Sequence, residues 1–101
     1  MTLDQFQQAS TRTMNASLTD SERLLDAAAG IAEEAGEVLA HVRKHLFQGR
    51  DLDQQRLADE LGDVLWCVAT VATCSGLSLS DIAALNQAKL ATRHPNGLMT
   101  Q

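Results

Sequence analysis

The sequence predicts an all-α fold, a four-helix antiparallel bundle completed by oligomerisation. Three observations carry that expectation. The chain is rich in Ala, Leu and Val, with a single proline, two phenylalanines, one tryptophan and no tyrosine, a composition typical of packed helices. Helix-start signatures stand at Thr2, Thr19 and Ser78. Between them, apolar residues recur at steps of three and four, the period of a helix that buries one face. At 101 residues the chain makes one domain, 1–101, with a core over 20–97 and an N-terminal helix over 1–16. A small helical domain gains much of its burial by self-association.

Each element follows from local signals. Thr2-x-x-Gln5 is a capping box, and Leu3, Phe6, Ala9 and Thr13 follow at helical spacing, giving a first helix over 3–14. Residues 15–17 form a turn. Thr19-x-x-Glu22 is a second capping box and opens the longest helix, 20–46, on the stripe Leu24, Ala28, Ile31, Ala35, Val38, Val42 and Leu46. Gly49 stops it. A third helix over 53–75 runs on Leu57, Leu61, Val64, Val68 and Val71, and Gly76 ends it. Val, Thr and Ile are common over 64–73, where a strand competes, but the three-and-four spacing without alternation decides for helix. Ser78 caps a fourth helix carrying Ile82, Leu85, Lys89 and Leu90, which stops before Pro95. Every connection is short, so successive helices are expected to pack antiparallel.

The net charge of −5 argues against a nucleic-acid partner. It permits a phosphorylated small molecule if a divalent metal lies between the two negative partners. Cys67 and Cys74 fall on one helix, about 10 Å apart along its axis, too far to bridge, which points to a reducing, cytoplasmic setting. No signal peptide and no apolar stretch of membrane-spanning length is read in the sequence, so no membrane association is expected.

The chemistry lies in two stretches that repeat each other. Residues 31–42 and 57–68 align with Ala32/Ala58, Glu34/Glu60, Gly36/Gly62, Val38/Val64, Leu39/Leu65 and Val42/Val68 identical, and with Glu33/Asp59 and Glu37/Asp63 conserving charge. An apolar frame explains the matched Val and Leu but not acids matched beside a glycine. On a helical wheel Glu34 lies about 80° and Glu37 about 140° from the centre of the apolar stripe, and Glu60 and Asp63 take similar angles on the other helix. An antiparallel hairpin can therefore turn all four acids toward one space at the edge of the interface, about a local twofold. Gly36 and Gly62 cost on the order of 1 kcal/mol each against Ala, a cost that a tight crossing or a close ligand would justify. Lone acidic pairs on helices are ordinarily a solvated face; the repetition and the embedded glycines favour a cation site. All-oxygen ligation selects Mg²⁺, with Mn²⁺ as a substitute. A di-iron site would want Glu-x-x-His, whereas His41 follows Glu37 by four residues and Cys67 stands at the equivalent place in the third helix.

A second constellation is Asn86, Lys89 and Arg93, within about 60° of arc on the fourth helix. Cations at a helix C-terminus are favoured by the dipole alone, but these side chains could also clamp phosphate oxygens. Lys44 and Arg50 are further phosphate candidates. Trp66 reads as a packing residue or as the wall of a base pocket, and His41 and His45 read as surface or interface histidines.

The series Glu33-Glu34-x-x-Glu37, Glu60-x-x-Asp63 and Asn86-x-x-Lys89 with Arg93 resembles the MazG-like family of all-α nucleoside triphosphate pyrophosphohydrolases. The resemblance covers residues 20–97, including the closing Arg-His-Pro-Asn-Gly. It implies hydrolysis between the α and β phosphates of a (deoxy)nucleoside triphosphate, for nucleotide-pool house-cleaning. It implies metal ligation by Glu34, Glu37, Glu60 and Asp63. Glu33 and Glu34, with Lys89, would serve catalysis, Glu33 by supporting the ligands or orienting water. Asn86, Lys89 and Arg93 would hold the phosphates, in a site completed across a dimer or tetramer; Lys44 and Trp66 join the substrate-binding candidates on the residue reading alone. The alternatives are a dUTPase-, dCTPase- or phosphoribosyl-ATP pyrophosphohydrolase-like activity, and a non-catalytic helical module that binds metal or oligomerises.

Overall fold

The computed structural model describes residues 1–97; the last four positions of the expected domain, 98–101, lie outside it. Among the described residues the chain is all-α, with helices α1 (Leu3–Ser10), α2 (Asp20–Gln48), α3 (Gln54–Cys74) and α4 (Leu79–Arg93) and no strand. A 3-10 turn, Thr11–Thr13, extends α1. The boundaries sit where local chemistry puts them. At α2 the Glu22 amide donates to Thr19 Oγ1 at 3.1 Å and the Thr19 amide to Glu22 Oε1 at 2.9 Å, closing the capping box. Gly49, at φ +67°, ends that helix. Asp53 caps α3 by accepting from the Arg56 amide. At its far end Leu77 N–H donates to Ala72 O and Gly76 N–H to Thr73 O, a Schellman closure with Gly76 at φ +71°.

α2 and α3 form the antiparallel hairpin that a short connection requires. Ala27 and Cys67 are buried in its seam. The close approach is at Gly30, where a Cβ would lie 2.8 Å from Cys67 Sγ. The tight crossing anticipated at Gly36 and Gly62 is absent, since a Cβ at either would meet nothing within 4 Å. The seam is also rotated from the expected α2 stripe. Ile31, Val38 and Val42 are half-buried, whereas Leu24, Ala28, Ala35 and Leu46 are exposed. Polar Glu34 and His41 take part of the inward arc instead.

The remaining core joins α1, α3 and α4. Ala69, Ala72 and Leu79 are buried against Phe6, Val68 and Ile82. Gln7 ties the three helices together: its Nε2 donates to Thr73 Oγ1 at 3.1 Å and Leu77 O at 2.9 Å, while its Oε1 accepts from the Leu79 amide at 2.8 Å. Asp4 accepts from the Ser80 amide beside it. These bonds fix the direction of α4, which leaves α3 at 102° and packs on α1 instead of running back antiparallel along α3. No single described helix is long and apolar enough to cross a membrane.

Candidate functional site

The hairpin seam opens beside Gly30 into a cavity of about 330 Å³. Its α2 wall carries Asp26, Glu33 and Glu34, and its α3 wall carries Asp63, Trp66 and Cys67. Two of the expected metal ligands, Glu34 and Asp63, thus face one space from opposite helices. Burial pushes the half-buried Glu34 carboxyl above the usual carboxylate range, and Asp63, Glu33, Glu37 and Glu60 add to the shift in that order. Like charges disfavour ionisation when held together. That Glu34 feels all four is the physical sign that the two acidic repeats share one neighbourhood.

The Cys67 thiol reports the same field. Burial raises its pKa first, and Glu34, Asp63, Asp26 and Glu33 raise it further. A buried thiol among acids stays protonated, so it acts as packing and not as a nucleophile.

Glu60 is buried, whereas Glu37 is exposed. Glu60 Oε1 accepts a hydrogen bond from His41 Nδ1 at 2.8 Å, with the His41 and Glu60 side chains 8% and 11% exposed. The other ring nitrogen, Nε2, lies 3.3 Å from the Asp53 amide. An amide can only donate, so Nε2 is the acceptor and Nδ1 carries the proton. Of the two expectations for His41, surface or interface, the structure gives the second: the ring lies between α2 and α3 and is bound at both nitrogens. His45 is half-buried and closes the connection by bonding Arg50 O at 2.7 Å.

Trp66 lines the acidic cavity, and its Nε1 donates to Thr13 Oγ1 at 2.7 Å. The segment after α1 thereby sets the orientation of that wall. Lys44 and Arg50 border a separate hollow of about 80 Å³ around the α2–α3 connection. Asn86 and Lys89 line a shallow surface on α4 with Ile82 and Leu85, and Arg93 is exposed further along. Within one chain this stripe forms no part of the acidic cavity.

Sequence reasoning passed over Asp26 and did not pair His41 with Glu60. Asp26, Gly30 and Glu34 follow one another at steps of four, and His41 stands seven residues beyond Glu34. That spacing puts all four on one helix face, which was the available signal.

The chain is similar to known proteins over the same hairpin. The sequence profile of the MazG nucleotide pyrophosphohydrolase domain matches residues 23–98. YvdC of Bacillus subtilis (strain 168), a protein described as uncharacterized, is 36% identical over 73 residues, covering 62% of this chain and 68% of that one. No solved structure gives a significant match. The matched span holds both acidic repeats, the Asn86/Lys89/Arg93 stripe and the cavity between α2 and α3, and on that ground the chain belongs to the family of MazG nucleotide pyrophosphohydrolase domains.

Proposed function

We propose that the protein hydrolyses (deoxy)nucleoside triphosphates between the α and β phosphates, releasing a nucleoside monophosphate and pyrophosphate, with Mg²⁺ as cofactor. The observation that carries this reading is the convergence of Asp26, Glu33, Glu34 and Asp63 on one cavity, with Glu37 and Glu60 near enough to add to the charge that raises Glu34. The donors suit Mg²⁺ chemically, being carboxylates that repel one another without a cation. Among the described residues no three acids, histidines or cysteines already form a ligand cage. That accords with an ion that keeps waters and takes substrate phosphates as ligands. Glu34, Glu37, Glu60 and Asp63 would hold the metal, which when bound supplies charge neutralisation for the triphosphate and an activated water. Glu33 lies on the cavity wall, where it can orient that water or accept its proton. Trp66 offers an aromatic face for the base.

Asn86, Lys89 and Arg93 serve the phosphates from a second copy, since α4 points away from its own acids. Self-association also accounts for the open shape: the radius of gyration is 16.1 Å, against roughly 13 Å for a compact domain of this length. The free thiols of Cys67 and Cys74 suit the reducing cytoplasm.

A panel of NTPs and dNTPs incubated with Mg²⁺ tests the reaction. Pyrophosphate and a monophosphate are expected, and orthophosphate as sole product would defeat the α–β cleavage. The competing reading is a non-catalytic helical module that binds metal or oligomerises. Glu60→Gln separates the two: an enzyme should lose at least about 100-fold in kcat while remaining folded, whereas the module should change only in stability.

A further inference from the structure

We infer that His41 is a positioning residue for the metal site, acting through Glu60. This rests on the metal-dependent reading above and adds a residue to it. Glu60 is buried at the hairpin seam, where a carboxylate without partners is costly. His41 Nδ1–H removes that cost by donating to Oε1 at 2.8 Å. The ring cannot turn freely to serve another group, because its Nε2 accepts from the Asp53 amide at 3.3 Å. Asp53 is also the N-cap of α3, so the ring links the late part of α2 to the start of the helix that carries Glu60. With Oε1 occupied by a fixed donor, Oε2 is the oxygen left for a cation.

Such a partner is worth more than packing, because a ligand held in one rotamer binds a cation without first losing freedom. The helix face explains how α2 provides it. His41 lies seven residues past Glu34 and four past Glu37, so α2 supplies both the direct donors and the group that aims the donor on α3.

The test is Mn²⁺ binding to the full chain, measured by calorimetry or by loss of the free-ion resonance, with metal-free melting temperature as the control. Asn can place an amide nitrogen near the position of Nδ1, and Gln near that of Nε2. His41→Asn should keep Mn²⁺ affinity within a few-fold. His41→Gln and His41→Leu should lose roughly 10- to 100-fold at a melting temperature that does not explain the loss. If the two polar variants bind Mn²⁺ equally, the position of the Nδ1 donor is irrelevant and the inference is overturned; this comparison stands even if His41→Leu fails to fold. Absence of Mn²⁺ binding by the unaltered chain, both alone and with a non-hydrolysable triphosphate, would remove the metal reading itself and this inference with it. Normal binding by unaltered chain and His41→Gln alike would remove only the inference.

Discussion

Glu34 is the residue at which the two repeats are felt together. Its carboxyl titrates above the ordinary carboxylate range because of burial, then Asp63, Glu33, Glu37 and Glu60. A raised native pKa contributes stability that is fully present below the unfolded value and is lost as pH rises through the native value. Glu22 has the opposite sign. Its backbone and side-chain hydrogen bonds with Thr19 lower it, so its contribution is present above the unfolded value and lost as pH falls through the native one. Without metal, the melting temperature should therefore rise as pH is lowered toward the ordinary carboxylate range, then fall below it. Glu34→Gln should flatten the upper limb and raise stability near neutrality, and Mg²⁺ should flatten it in the unaltered chain. A pH curve for Glu34→Gln parallel to that of the parent would refute the shared-charge picture. The acids themselves were legible because acidic positions repeat beside glycines. Their unequal burial was not: Glu34 is half-buried, Glu60 buried and Glu37 exposed, where a common space at the edge of the interface was expected for all four.

The α2–α3 hairpin carries the site, and its registry depends on one small residue. A Cβ at Gly30 would lie 2.8 Å from Cys67 Sγ, closer than atoms tolerate without rearrangement. Gly30→Ala should destabilise by about 1–3 kcal/mol from overpacking, partly offset by helix propensity. Adding Cys67→Ala should recover most of that loss in a double-mutant cycle of chemical denaturation. Additive effects would show that the helices do not meet there. Gly36 and Gly62 were the glycines that pattern alone singled out, because they sit inside the repeated motif. The crossing falls instead at Gly30, six residues earlier in α2, since helix contact depends on how the two cylinders are rotated and not on motif symmetry. The direction of α4 was hidden for a similar reason. Gln7 and Asp4 reach residues 77–80, contacts about 70 positions apart that no local spacing encodes.

At the scale of the whole molecule, the chain leaves much apolar surface open. Leu39 is 58% exposed, Leu85 70% and Phe47 80%, while the fully buried core is mostly alanine. Scattered exposed leucines are ordinary, but here they continue stripes along helices that lie partly bare. Sedimentation should find a dimer or tetramer. Leu39→Asp should shift it toward monomer and lower triphosphate hydrolysis in parallel, because α4 cations would no longer reach a partner's acids. A monomeric parent with full activity would refute that assembly.

By itself the sequence determined the four helices, their caps and the acidic repeats. Capping boxes, αL glycines and three-and-four spacing are settled within a few residues of chain, so they survive without tertiary context. It also made the acidic character of the α2–α3 seam legible, because six carboxylate positions fall in two matched sets. Tertiary structure alone decided which acid is buried and which histidine supports it. It also decided which glycine lets the helices touch and where α4 points. Those outcomes depend on the rotation of one helix against another and on a few long-range hydrogen bonds, neither of which is written in local order.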